Sequence, residues 1–165
     1  MDTAALLAIA RETIDKVAFC FAITVGENGA ASARVVQTGK LRDDWSVGFM
    51  TERYCRKVVE MERAGRLTLA YQYDPEKAYV TLTGRPVIID DVALKRSVWN
   101  PDADRWHRGG PDDPNVVIVR LITDRIEIWS SGRDVMPEPK GFSAAVLERD
   151  GLGWRYSTTS RRSVA

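Results

Sequence analysis

Arg56 and Lys57 carry the first chemical hint in this chain. The apolar run 46–50 leads into Thr51-Glu52-Arg53-Tyr54-Cys55-Arg56-Lys57, which opens a predicted helix over about 52–64. Backbone N–H groups at a helix start carry partial positive charge, so acidic side chains are favoured there. Here Arg53, Arg56 and Lys57 are set against Glu52 alone. A helix N-terminus reinforced by cations suits a phosphate. A solvated basic helix face would read the same way.

Two further residues are out of place for plain structural roles. Arg34 lies in the middle of a predicted strand, 31–38, where it shares a face with Val36 while Val35 takes the other. A charge on a half-buried sheet needs an acceptor: a carboxylate such as Glu52, or a polar group of a ligand. In Ile126-Glu127-Ile128-Trp129 the isoleucines share one face, which puts Trp129 beside Glu127 on the polar one. An aromatic ring there is covered by a partner or a flat ligand, or tucked under the segment 130–139.

Other chemistries are excluded. His107 is the only histidine, so a His/Cys metal set is not expected. No Gly-x-Ser-x-Gly turn accompanies it, which removes hydrolysis by a Ser-His-Asp triad. His107 reads most simply as a surface or loop residue. Cys55 beside Arg56 and Lys57 is either an activated thiol or a small structural residue. Asp112 and Asp113, flanked by Pro111 and Pro114, read as turn formers.

The elements that must position these residues fit one domain spanning 1–165. Residues 3–16 have helical periodicity and mix charge with apolar side chains, so they form an amphipathic helix and not a signal peptide. Strands are predicted at 18–25 and 31–38, joined by a hairpin at Asn28-Gly29. More follow at 45–50, 67–73, 79–90 (bent near Gly84-Arg85-Pro86) and 116–122. A turn at Asp124-Arg125 leads into 126–129. In the helix over 52–64, Tyr54, Val58 and Met61 should make the buried stripe, and Gly65 should end it. Short helices are expected at 92–98 and 102–107, a rigid loop at 109–114, a hairpin around Asp150-Gly151, and a frayed tail at 160–165. Many short strands with few helices imply a mainly β (α+β) fold, a closed β structure with peripheral helices. There is no Gly-x-Gly-x-x-Gly turn, which argues against a doubly wound nucleotide fold. A net charge of +1 gives no general drive toward nucleic acid or anionic membrane. No apolar run approaches a membrane span. The two cysteines build no disulfide framework, which points to the cytoplasm.

These residues together resemble the pyridoxamine 5'-phosphate oxidase-like FMN-binding split barrels, and within them the general-stress-protein 26 group, over roughly residues 5–132. Arg34-Val35-Val36 is similar to the family's Arg-x-Val strand. Phe49-Met50-Thr51 through Arg56-Lys57 is similar to its aromatic-Thr strand end and Ser-Arg-Lys helix start. The loop 109–115 followed by Ile126-Glu127-Ile128-Trp129 resembles the stress-protein group's Gly-Asp-Pro loop and Glu-x-Trp strand. The resemblance implies a six-stranded Greek-key split β-barrel that forms a homodimer with FMN at its interface. It implies that Arg56, Lys57 and Thr51 bind the FMN phosphate. Arg34, Val35 and Val36 would lie along the isoalloxazine with Phe49 and Met50, and Trp129 would reach the partner's flavin. Tyr79 falls where the true oxidases tend to have Gln, and Trp106 near the pocket mouth. Cys55 stands in place of the usual Ser, which implies a weaker hold on FMN. The Arg-Leu-x-x-Arg element of the true oxidases is absent from 130–136, so pyridoxamine phosphate oxidation itself is not expected.

The implied function is a flavin-dependent oxidoreductase of unknown substrate. The alternative is a non-catalytic flavin-binding stress protein, a carrier or redox sensor. A split barrel holding F420 or haem ranks below both, since haem would have only His107 as a ligand. No residue is assigned as catalytic.

Overall fold

A computed structural model describes residues 1–137 and 142–157. The elements follow in the order α1 (Thr3–Asp15), β1 (Phe19–Val25), β2 (Ala31–Gln37), β3 (Ser46–Glu52), α2 (Arg56–Ala64), β4 (Leu67–Tyr73), β5 (Ala78–Ile89), α3 (Val92–Val98), α4 (Pro101–Trp106), β6 (Val116–Ser130), β7 (Ala145–Asp150) and β8 (Gly153–Ser157). The tail expected at 160–165 lies outside the described residues.

The fold is mainly β with peripheral helices. Among the described residues, all eight strands join one antiparallel sheet in the order β2-β1-β4-β5-β6-β7-β8, with β3 added to β6. Strands β1–β6 wrap a common core in the sequence β2-β1-β4-β5-β6-β3 and leave the sheet split between β2 and β3. Just past β2, the Gly39 N–H donates to the Gly48 carbonyl of β3 at 2.8 Å, so the two margins touch without forming a ladder. Strand alternation fills the inside: Ala22, Val47, Phe49, Leu69, Tyr71, Val80, Leu82, Val119, Leu121, Ile126 and Ile128 are all buried in one cluster. The α1 stripe Leu6, Ile9, Ala10 and Ile14 belongs to the same cluster, and its Asp2 cap accepts from the Ala5 N–H at 2.7 Å. Among the described residues, no helix is long and apolar enough to cross a membrane.

Two expectations are corrected. Asp124-Arg125 makes no turn: β6 runs unbroken from Val116 to Ser130. The irregularity there is a register shift against β5 between Thr83 and Gly84. Gly84 permits it, because a Cβ on that residue would lie 2.0 Å from the Ile122 carbonyl oxygen. The second correction concerns α2. It starts at Arg56 with Cys55 as N-cap, because β3 stays paired to β6 as far as Glu52 opposite Val116. Tyr54 therefore precedes the helix and is 78% exposed, and Val58 and Met61 form the buried stripe without it. Gly65 ends the helix in a left-handed conformation, as expected.

Gly84→Ala forces β5 and β6 apart at the bulge. It should lower stability by about 1–3 kcal/mol, read as a lower urea midpoint. An unchanged midpoint would show that the strands can separate there at no cost.

Candidate functional site

A cavity of about 720 Å³ lies at the split. Its floor is the outer face of β3 and β6, where alternation aligns Gly48, Met50, Ile118 and Arg120. One wall is the end of β2 and the following loop, from Val35 to Lys40. The opposite wall is α3 and α4, through Leu94, Val98 and Trp106.

The α3–α4 wall is fixed by polar contacts that the sequence supplies locally. Asp91 caps α3 by accepting from the Leu94 N–H at 2.7 Å, and Asn100 caps α4 by accepting from the Asp102 and Ala103 N–H groups. The Lys95 ammonium is fully buried and spends its three donors on Asp90 Oδ1 (3.2 Å), the Asp113 carbonyl (3.1 Å) and the Val116 carbonyl (3.0 Å). This clamps α3 to the loop that enters β6. Arg96 adds a bidentate pair with Asp112, and Asp113 Oδ1 accepts from the Asn115 N–H, so both aspartates shape that loop.

The predicted site residues divide into two groups. Val35, Val36, Phe49, Met50, Thr51 and Lys57 all line the cavity. Phe49 and Val36 also belong to the core behind it. Thr51 Oγ1 lies 3.6 Å from Cys55 Sγ, which ties the end of β3 to the start of α2. Arg34, Arg56 and Trp129 do not line it. The Arg34 guanidinium donates to Glu60 Oε2 at 2.7 Å and to the Thr24 hydroxyl, while Thr24 itself donates to Glu60 at 2.5 Å. The acceptor that Arg34 requires is thus Glu60 on α2, and not Glu52. Arg56 follows it, with Nε 3.6 Å from Glu60 Oε1 and most of its side chain in solvent. Lys57, one position on and about 100° further around the helix, faces the cavity. Trp129 packs against Tyr79, centroid to centroid 5.8 Å, on the outward face of the sheet.

Several lining residues escaped sequence reasoning. Arg120 gave the same signal as Arg34, a lone charge inside an apolar strand, but 116–122 reads as too apolar to draw attention to it. Lys40 and Arg42 sit in a loop where no periodicity marks a face. His107 is more than a loop residue: with Trp106 it lines both this cavity and a neighbouring one of about 560 Å³ shared with Glu52, Tyr54 and Cys55. Burial lowers the His107 pKa despite the acids Glu52 and Asp113 nearby.

Comparison with known proteins gives a consistent picture. The sequence profile described as "Pyridoxamine 5'-phosphate oxidase like" matches residues 7–148. General stress protein 26 of Bacillus subtilis (strain 168) is 29% identical over 112 residues, covering 61% of this chain and 79% of that protein. The crystal structure of a Clostridium acetobutylicum protein related to general stress protein 26 superposes with a TM-score of 0.72 at 18% identity, over 93% of this chain and 100% of the other. A pyridoxamine 5'-phosphate oxidase-related, FMN-binding protein from Nostoc punctiforme gives 0.68 at 13% identity, over 94% of each chain.

The Arg34 network has a pH signature. The Thr24 hydroxyl and then Arg34 hold the Glu60 carboxyl below its ordinary value of 4.5. A folded pKa below the unfolded one means that ionisation favours folding. The contribution is therefore complete above pH 4.5 and is lost as the pH falls through the lower folded value. Glu60→Gln should make the acid limb of the thermal midpoint against pH shallower below pH 4.5, while lowering the midpoint at neutral pH. An acid limb parallel to that of the parent protein would remove Glu60 from this role.

Proposed function

The chain belongs to the pyridoxamine 5'-phosphate oxidase-like family, and from that premise we propose that it is an FMN-binding, flavin-dependent oxidoreductase that works as a cytoplasmic homodimer. The observation that carries the reading is the cavity at the split. Its volume lies within the ~300–1,000 Å³ of small-molecule and cofactor sites. Its floor and walls are apolar strand and helix faces, and Lys57 faces it from the first turn of α2 beside Thr51. That donor set fits a phosphate at one end and a flat ring system along β2 and β3.

Bound flavin would supply the electron transfer, and this chain's residues bind and orient it. Lys57 and Thr51 would hold the phosphate, aided by the N–H groups of the helix start, where Cys55 contributes no capping bond. Val35, Met50 and the strands that carry Val36 and Phe49 would flank the ring. Arg34 would act from behind, by tying α2 to β1 and β2 through Glu60 and Thr24. Arg56 would add charge to the phosphate end without losing Glu60.

Phe19, Phe21 and Val35 are about half exposed or more on one outward face of the sheet, with Phe21 opposite Val35 in register. A second copy docking there would cover them and complete the cavity, since Phe19 and Val35 line both. Trp129 stands on the same outward side of the sheet, where it would meet the partner's flavin. Both cysteines are free, and burial pushes the Cys20 thiol up to about 12, so it stays a protonated core residue. That suits a reducing compartment. A non-catalytic carrier or sensor would use the same site, and repeated reduction by NAD(P)H with reoxidation separates the enzyme from it.

The decisive test is an absorption and fluorescence titration of the purified protein with FMN, with mass spectrometry of any released ligand. Saturable flavin binding is expected. Lys57→Ala should weaken it at least about tenfold, the loss of one charge-assisted hydrogen bond, and Arg56→Ala by less. Equal effects of the two, or none, would reject this phosphate end. Trp129→Ala should weaken flavin binding and dimerisation together in sedimentation. A dimer with unaltered FMN affinity would remove Trp129 from the interface.

A further inference from the structure

The cavity has a second charged end. Among its lining residues are Lys40, Arg42, Lys57 and Arg120, and no Asp or Glu of the described residues lines it. Lys57 belongs to the phosphate end. Arg120 pairs across the strands with Gly48, three residues before Thr51, so at the rise of a β-strand the two ends are about 10 Å apart. Lys40 and Arg42 stand over the Arg120 end, in the loop between β2 and β3.

That loop is held in one shape. Leu41 is buried in the core, so its neighbours Lys40 and Arg42 are turned outward. The Arg42 N–H donates to the Ser46 carbonyl at 2.9 Å, and Arg11 of α1 donates to the Leu41 and Arg42 carbonyls. Arg11 also stacks on the buried Trp45 ring, 5.0 Å from its centroid. Yet none of the three cations has an ion-pair partner among the described residues. Asp44, held below its ordinary value first by the Ser46 hydroxyl and N–H and then by the charges of Arg42 and Arg120, commits its Oδ1 to Ser46 and forms no ion pair with either arginine. Half-buried Arg120 without an acceptor is costly, and like charges gathered in a cleft reinforce one another's field. Both are offset by an anion.

We propose that Lys40, Arg42 and Arg120 form the seat for the acidic group of the substrate, a small acid with an apolar body that lies against Met50, Ile118 and Trp106. The inference rests on the flavin reading for the word substrate, since the phosphate end then belongs to the cofactor and this end is left for the reacting molecule. Carboxylate and phosphate present the same oxyanion chemistry to an arginine pair.

The test is calorimetric titration of the full chain, with and without FMN, using benzoate and phenyl phosphate as anionic probes and benzyl alcohol as the neutral control. Saturable binding of at least one anion, with benzyl alcohol at least tenfold weaker, is expected. Arg42→Gln combined with Arg120→Gln should weaken the anion at least tenfold while FMN affinity stays within about twofold. Arg42→Gln alone, on an exposed side chain, should give a partial loss and covers the case in which the double variant misfolds. Anion binding with no flavin binding would sink the flavin reading and keep the seat. Anion affinity unchanged in both variants, equal binding of benzyl alcohol, or no anion binding in either state overturns the proposal. So does a loss of FMN affinity in the double variant as large as in Lys57→Ala, because these cations would then serve the cofactor.

Discussion

A strand has two hydrogen-bonding edges, and β6 must satisfy three partners with them. At fifteen residues it is far longer than the ~5–6 of an ordinary strand. One edge is taken along its length by β5. The other is divided, with β3 paired from Val116 to Ile122 and β7 from Arg125 to Ile128. The handover falls at Thr123–Asp124, beside the Gly84 bulge, and there the buried Thr123 hydroxyl has no hydrogen-bond partner among the described residues. Because β3 occupies only the first half of β6, its end and the α2 start that follows are delivered to the region that α3 and α4 cover. The second half is left for β7 and β8, which carry Trp154 to the edge of Trp45, 5.8 Å between ring centroids. The cavity's place in the molecule is a consequence of that division.

Within this frame the chain treats its cations in two ways. Lys95 is more deeply buried than any cation of the cavity and has three acceptors. Arg34 has a carboxylate and a hydroxyl, and Arg133 bridges Glu12 and Glu76. An unpaired charge in a low-dielectric site is the expensive case, and at these positions the fold avoids it. Arg120 and Arg42 have no ion-pair partner among the described residues, and Asp44, whose carboxyl their charges help to hold down, gives its Oδ1 to the Ser46 N–H and hydroxyl. The contrast marks the cavity cations as groups that await an acceptor from outside the chain.

Legibility from sequence followed the range of the physical signal. Period-two and period-3.6 patterns are local, so the strands, the amphipathic α1 and the short helices could be placed, and the Asn28-Gly29 and Asp150-Gly151 hairpins announced themselves by turn chemistry. Tyr54 was misplaced because its spacing to Val58 and Met61 is helical, while the ladder that keeps β3 extended to Glu52 depends on a strand sixty residues away. Asp124-Arg125 looked like a turn because Asp interrupts an apolar run, and only the partner's Gly84 turns that interruption into a bulge. Arg34 was legible as a charge in need of an acceptor, but Glu60 could not be identified, since nothing in the sequence says which face of α2 meets β1. Lys40 and Arg42 were silent for the same reason: a loop side chain has no direction until the loop is folded.

The cavity and the exposed apolar face are continuous, and that couples two proposed events. Phe19 and Val35 line the cavity and also belong to the outward patch with Phe21. A flat ligand lying along β2 would cover part of their surface and present its own face in place of theirs. A second copy docked on the patch would in turn wall the ligand in and exclude water from its contacts with Lys57. Each event therefore removes apolar surface that the other would otherwise leave in water. A coupling of this kind is reciprocal: whatever factor the ligand adds to dimer affinity, the dimer adds to ligand affinity. On this reading Cys55, which offers no side-chain cap to α2, would weaken the phosphate end alone and would leave the apolar contacts shared with a second copy untouched.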